Sequence, residues 1–377
     1  MKKKHRILAI NPGSTSTKIA IFLNDTEVFR KTVEHSPAEL KPYPDIPSQQ
    51  PLREKVIFST LEQAGEDLTS LSAIVGRGGL LRPMAGGTYT ISPVMLKELR
   101  TKTSGEHASN LGGILAESIA SSLGIPSFIV DPIVVDELED VARISGSPLI
   151  ERISIFHALN QKAVARRHAR KAGRKYEAMN LIVAHLGGGV TVGAHRKGQV
   201  IDVTNALNGE GPLTPERSGG LPALNVVELC FRPGADKQEI IGSIKGNGGM
   251  TAYLGTNDGK EVQRRVLQGD ARAELIHKAM AYQTAKEIGG MATVLQGEVD
   301  AILVTGGMAH DTLFVEMLGQ AVSFIAPVHV YPGEEEMKAM IEGALRVLNG
   351  TEKVKTYPPE IHEKSGAGMT KNDLKSK

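Results

Sequence analysis

A single cysteine, Cys230, occurs in the 377 residues, so no disulfide can close within the chain. That scarcity fits a reducing compartment and places the protein in the cytoplasm. Cys230 itself reads as a small buried apolar residue. Long hydrophobic runs are lacking as well. No stretch approaches the roughly 20 apolar residues that span a bilayer, which excludes a helical membrane protein. Met1-Lys2-Lys3-Lys4-His5-Arg6 ahead of Ile7 to Ile10 mimics a secretory leader, but the apolar run is short and Asn11-Pro12-Gly13 interrupts it. Charge of one sign is missing too. With 44 basic and 42 acidic residues the net charge is +2, which asks for neither nucleic acid nor an anionic membrane surface.

Several motifs are also absent. There is no HExxH and no Cys/His zinc spacing, so the 11 histidines do not announce a zinc site. No GxSxG marks a serine hydrolase. No GxGxxG opens a helix after the first strand, and no GxxxxGK[ST] forms a P-loop.

Glycine is abundant, at 41 residues, and falls in clusters beside apolar runs. Such clusters mark loops where backbone approaches something closely. The length suits two domains, and 41% apolar residues can fill two cores. A form recurs along the chain. Ile7 to Ile10 is apolar, Asn11 to Thr17 turns, Lys18 to Phe22 returns, and Asn24-Asp25 leads into Glu27 to Val33. Later, Leu181 to His185 is followed by Gly187-Gly188-Gly189, Val190 to His195, the turn Lys197-Gly198, and Gln199 to Thr204. Each copy reads strand, hairpin, strand, turn, strand, and the copies lie roughly 175 residues apart, as in a duplicated domain. Further strands are expected at Ala73 to Val75, Phe128 to Val135, Ala301 to Thr305 and Val322 to Val330. Helices are expected at Ser109 to Leu123, Ile153 to Ala172, Ala271 to Leu295 and Glu335 to Leu348. The alternation gives an α/β class with a domain boundary near residue 150. The polar tail from Tyr357 to Lys377 is expected to end in disorder.

Four strand ends open into small or ionisable residues, where ligands bind in open α/β sheets. The segment Asn11 to Lys18 offers backbone N–H groups, hydroxyls and a lysine to phosphate oxygens, though a plain hairpin turn would look the same. Gly187-Gly188-Gly189 is harder to explain as a turn alone. Two such loops in matching places could hold one phosphate chain between them. Thr305-Gly306-Gly307 would let a flat adenosine lie on backbone, or would simply turn a strand into a helix. Arg77, in Gly76-Arg77-Gly78-Gly79, and Arg217, in Thr214 to Gly220, are either solvated loop residues or guanidinium forks for carboxylate and phosphate. Asp131 is placed to serve a nucleotide-bound Mg²⁺, which needs one or two carboxylates. Glu334-Glu335-Glu336 stand at a helix start, where acids also favour the dipole.

Taken together, these residues resemble the family of acetate and butyrate kinases. Ile10 to Lys18 is similar to its first phosphate loop, His185 to Gly189 to its second, and Thr305-Gly306-Gly307 to its adenosine loop. Glu216-Arg217-Ser218-Gly219, Phe156-His157 and Glu106 to Asn110 match as well, and the likeness runs from about residue 6 to about 350. The short Arg77-Gly78-Gly79-Leu80 segment and Asp131-Pro132 favour the butyrate branch. Gly188 and Gln161 stand where acetate kinases carry Asn and a second His.

The resemblance implies two actin-like (ribonuclease H-like) domains around a nucleotide-binding cleft. The first would cover 1–150, completed by a C-terminal helix within about 335–365, and the second 151–334. It implies a cytoplasmic homodimer or higher homo-oligomer that uses ATP and Mg²⁺ to phosphorylate butyrate or a related short-chain acid, with no nucleic acid or membrane partner. Rival readings are an acetate or propionate kinase, a branched-chain acid kinase, and a non-catalytic nucleotide-binding regulator. In the implied site Arg77 grips the carboxylate while Arg217 and His157 face the transferring phosphoryl group. Asp131, Glu335 and Ser14 serve the metal, Glu335 being preferred to Glu336. Asn11, Ser14, Ser16, Lys18, His185, Gly187, Gly188, Gly189, Gly306 and Gly307 hold the nucleotide.

Overall fold

The computed structural model describes residues 4–205 and 207–358, so the last residues of the polar tail lie outside the described part. A first sheet contains β1 (Arg6–Pro12), β2 (Ser16–Leu23), β3 (Thr26–Glu34), β4 (Ala73–Arg77), β5 (Thr88–Thr90) and β6 (Ser127–Val130), in the order β3-β2-β1-β4-β6-β5. A small ribbon of β7 (Ile144–Ser147) and β8 (Ile150–Glu151) follows. The second sheet contains β9 (Asn180–Leu186), β10 (Val190–Arg196), β11 (Gln199–Val203), β12 (Ala301–Gly306) and β13 (Val328–Pro332), in the order β11-β10-β9-β12-β13.

The two sheets follow one plan. β1 and β9 each pair antiparallel with the strand that follows them and parallel with a strand far along the chain. β6 and β13 extend the parallel side of their sheets. The recurring form in the sequence is therefore the outer three strands of each sheet. The turn after β1 and the turn after β9 occupy equivalent places, at the same end as Arg77 and Gly306.

Both central strands are buried on both faces, which is why they read as unbroken apolar runs. Side chains alternate across a strand. Leu8 and Ile10 face the core under the helix Asn110–Leu123, while Ile7 and Ala9 face Met337, Met340 and Ile341 of the helix Glu336–Leu348. In β9, Ile182 and Ala184 face the helix Ala271–Val294, while Leu181 and Val183 face Val164, Ala165 and Ala169 of the helix Ala158–Lys171. The 158–171 and 336–348 helices thus lie on one face of each sheet, and they pack against each other. Glycine sets the position of Arg77. A Cβ on Gly112 would sit 2.2 Å from the Arg77 carbonyl oxygen, so the 110–123 helix can lie on β4 only without one.

Several expectations are corrected. The strand expected to Val135 ends at Val130, because Asp131 turns the chain at φ +37°. Val322 ends a helix, Thr312–Val322, whose N-cap Asp311 accepts from the Phe314 N–H, and β13 begins only at Val328. The helices Gln50–Gln63 and Pro93–Thr101 lie outside the expected set. Cys230 is exposed, on a helix, Ala223–Phe231, that buries none of its residues. Among the described residues no helix is long and apolar enough to cross a membrane.

Candidate active site

The first loop is shaped from behind by a residue the sequence did not point to. The Gly13 N–H donates to the Ser16 carbonyl at 2.8 Å, which closes the turn. Arg53, wholly buried on the 50–63 helix, then donates to the carbonyls of Gly13 at 2.9 Å, Ser16 at 2.7 Å and Ser14 at 3.0 Å. Gln49, one helical turn earlier, accepts from Arg53 Nε at 3.1 Å and Nη2 at 2.8 Å and fixes the fork. Burial lowers the Arg53 pKa to about 10, so it stays charged at neutral pH. With its carbonyls drawn inward, the loop leaves Ser14 and Thr15 exposed. Lys18 lies directly across the hairpin from Asn11. The only trace of this clamp in the sequence is a Gln and an Arg four residues apart.

The second loop closes through the Gly187 N–H, which donates to the Gly189 carbonyl at 3.0 Å, and the Thr214 hydroxyl, which donates to the Gly188 carbonyl at 2.7 Å. The same hydroxyl oxygen accepts from the Arg217 N–H at 3.0 Å. The Arg217 guanidinium therefore lies against the loop. A Cβ on Gly189 would fall 1.9 Å from Arg217 Nη1, so only glycine leaves the guanidinium in this position. At the end of β12, Gly306 has φ +93°, and a Cβ there would meet the Leu186 carbonyl at 2.3 Å. Beside these turns opens a pocket of about 760 Å³ lined by Gly187, Gly188, Asn257, Asp258, Gly307 and Met308.

Between the two loops the side chains converge. Asn11 Nδ2 donates to Glu336 Oε2 at 2.7 Å, and Arg77 Nη1 pairs with Glu336 Oε1. The ring of His157 stacks on His185, with centroids 3.7 Å apart and planes 10° from parallel. His185 Nδ1 meets Asn160 Oδ1 at 2.9 Å, and its Nε2 lies 3.0 Å from Glu334 Oε1. Burial, with the charges of His185, Arg217 and Arg77 close by, pushes the His157 pKa well below the ordinary histidine value, so its ring is neutral at pH 7. His185, then Arg77 and Lys18, hold the Glu334 carboxyl below its usual value despite burial.

Of the sequence candidates, Asn11, Arg77, His157, His185, Arg217 and Gly187 to Gly189 meet here. Ser14 lies in the first loop, Ser16 and Lys18 on the strand that follows it, and Gly306 and Gly307 border the pocket. Two candidates lie elsewhere. Asp131 is buried: Oδ1 accepts from the Gly87 N–H at 2.7 Å and Oδ2 from Arg166 Nη1 at 2.8 Å. Burial alone would raise its pKa, but Arg166, with Lys162 and Arg346, holds it below the usual carboxylate value. Its side chain is wholly buried, whereas Glu336, which is also bonded through both oxygens, keeps 25% exposure. Glu335 points outward and pairs with Arg167 at 2.8 Å. The acids on either side of it, Glu334 and Glu336, turn into the cleft. A run of three acids does not show in sequence which of them faces inward, so the inward turn of Glu334 is visible only in the fold.

Replacing Arg53 with Ala leaves three loop carbonyls without their donor. The expected loss is about 3 kcal/mol of unfolding free energy at roughly 1 kcal/mol per bond, together with faster amide exchange over residues 13–17. Denaturant unfolding and hydrogen exchange check this. Wild-type stability and exchange would show that Arg53 does not shape the loop.

Known proteins give the arrangement a context. A sequence profile of the acetokinase family matches residues 149–328. Butyrate kinase 2 of Clostridium acetobutylicum is 52% identical over 354 residues, which cover 94% of this chain and 99% of that one. The crystal structure of acetate kinase from Porphyromonas gingivalis superposes with a TM-score of 0.74 at 18% identity, over 91% of this chain and 100% of that one. Acetate kinase from Entamoeba histolytica gives 0.71 at 16% identity, over 90% and 99%. These structural likenesses speak for the fold, two actin-like domains facing a cleft. Identity of this degree along nearly the whole of both chains speaks for descent, and the chain belongs to the acetokinase family.

Proposed function

We propose that this chain is a butyrate kinase, which transfers the γ-phosphoryl group of ATP to the carboxylate of butanoate to give ADP and butanoyl phosphate. The observation that carries the reading is the convergence of Arg77, at the end of a first-sheet strand, and Arg217, from a loop lying against the second sheet's glycine turn, around His157, in a chain 52% identical to a butyrate kinase. A carboxylate is already ionised at pH 7, so the transfer needs alignment and charge stabilisation rather than a base. In this reading the phosphate chain lies between the 11–18 and 186–189 loops, with adenosine against Gly306 and Gly307. The Arg77 fork, which gives one N–H to Glu336, has others for the substrate carboxylate. Arg217 and the neutral His157 face the phosphoryl group from the side of the second loop. The oxygen donors Glu336, Asn11 and Ser14 at the first loop suit the waters of a Mg²⁺ ion, which when bound neutralises phosphate charge. Asp131, buried in its ion pair, takes the role of a support for Arg166.

The division into 1–150 with the C-terminal helix, and 151–334, is supported by the packing of the 336–348 helix on the first sheet. The same reading makes the protein a cytoplasmic homodimer. Leu224 at 80% and Phe231 at 84% exposure give the 223–231 helix an apolar surface suited to a second copy.

Three outcomes are expected. With hydroxylamine trapping the acyl phosphate, kcat/KM for butyrate exceeds that for acetate by about tenfold to twentyfold, since each buried CH₂ contributes about 0.8 kcal/mol. Equal rates or a preference for acetate would overturn the substrate assignment. Glu336→Ala lowers kcat on the order of 100-fold, whereas Glu335→Ala, which breaks a surface pair, stays within about twofold. The reverse ranking would return the metal role to Glu335. Light scattering gives the mass of two chains, and a monomer at micromolar concentration would exclude the dimer.

A further inference from the structure

A line of buried hydrogen bonds leads away from His157 and is not accounted for by substrate binding. His157 Nδ1 lies 2.9 Å from Thr191 Oγ1. Gln161 Nε2 donates to Thr191 Oγ1 at 2.8 Å and to the Thr191 carbonyl at 3.1 Å. Gln161 Oε1 meets His195 Nε2 at 3.0 Å, and His195 Nδ1 meets the Tyr176 hydroxyl at 2.7 Å. Gln161, Thr191 and His195 are each 0% exposed and Tyr176 is 3% exposed, so no water can substitute for these partners. Gly193 makes room for the amide: a Cβ there would stand 2.7 Å from Gln161 Oε1.

The proton positions follow from the acceptors. The Thr191 carbonyl can only accept, so the Gln161 nitrogen faces it and the Gln161 oxygen faces His195. His195 must then carry its proton on Nε2, which leaves Nδ1 to accept from Tyr176. At the other end both Gln161 N–H groups are spent on Thr191. The Thr191 hydroxyl therefore accepts from Gln161 and still has one proton to give. Among the described residues the remaining partner of that hydroxyl is His157 Nδ1. A hydroxyl proton buried without an acceptor would be costly. His157 Nδ1 is thus an acceptor, and its ring proton sits on Nε2, on the edge turned away from Thr191.

We infer that Thr191 and Gln161 are positioning residues that hold His157 as its Nε2–H tautomer, with His195 and Tyr176 fixing the direction of the Gln161 amide. His157 then presents a hydrogen-bond donor and cannot serve as a base at Nε2. A donor is what the transfer of a phosphoryl group to an ionised carboxylate calls for, because negative charge gathers on oxygen and no substrate proton has to be removed. Thr191 also stands directly opposite His185 in the β9–β10 pairing, so the strand that carries the second loop also carries the group that orients the ring. The catalytic consequence rests on the proposed kinase reading, while the tautomer itself does not.

The test is long-range proton–nitrogen NMR on protein with ring-¹⁵N histidine, with His157 assigned by its loss in His157→Gln. In the wild type, Nδ1 of His157 is expected to resonate as an unprotonated, pyridine-like nitrogen and Nε2 as a protonated, pyrrole-like one. Thr191→Val removes the hydroxyl while keeping the shape. It is expected to mix the tautomers and lower kcat about tenfold, with KM for both substrates within about twofold. Thr191→Ser, which keeps the hydroxyl, is expected to recover most of the loss. A wild-type proton on Nδ1 would overturn the inference, and this reading needs no variant to fold. So would a Thr191→Val protein with the wild-type His157 spectrum and kcat. The ring spectrum is independent of the acid used, so a failure to phosphorylate butyrate would be told apart from a failure of the tautomer.

Discussion

The contact between the 158–171 and 336–348 helices is the constraint on which the rest depends. Each helix covers one face of its own sheet, and their meeting sets the two sheets at a fixed separation. His157 stands just before the first of these helices and Glu336 begins the second. The residues at the centre of the cleft are therefore carried by the element ends that join the halves. Lys162, at 1% exposure, reinforces the joint: its ammonium lies 2.7 Å from Glu137 Oε2 and 3.0 Å from the Gly198 carbonyl, tying the end of the first half to a turn of the second. A buried pair of this kind does little for net stability but leaves few alternative arrangements.

The electrostatics divide by burial. Cations that face the cleft, Arg77 and Arg217, stand beside a histidine kept neutral, so positive charge comes from groups that cannot lose it at physiological pH. Carboxylates that turn inward are each matched, Glu336 with Arg77 and Glu334 with His185. Asp131 is matched by Arg166 and the Gly87 N–H in a wholly buried position, and burial withdraws it from the cleft. An acid with both oxygens bonded inside the protein shapes the backbone around it, here the turn at the end of β6.

The fold was largely legible because its strongest signals are local. Buried strands, a hairpin with a polar turn, and glycines in a row each leave a mark on a few consecutive residues, and the second occurrence of the pattern revealed the duplication. What escaped depends on contacts distant in sequence. Nothing near Arg53 says that its fork reaches the first loop 40 residues earlier. The inward turn of Glu334 and Glu336, and the outward turn of Glu335, follow from where the last helix meets the first sheet. The apolar run at 322–330 reads as one strand because periodicity over so few residues does not separate a helix end from a strand start. Cys230 reads as buried because a free cysteine behaves as a small apolar residue, yet the whole 223–231 helix lies on the surface.

The central claim is that two equivalent loops, one from each sheet, hold a single phosphate chain. Hydrogen exchange with and without Mg²⁺ and ADP tests it directly, since both loops offer backbone N–H groups to the same ligand. The account predicts that amides over 11–18 and over 186–190 are slowed together, at the same nucleotide concentration, along with those over 305–308. Slowing confined to one sheet, with the other loop exchanging as in the free protein, would contradict it.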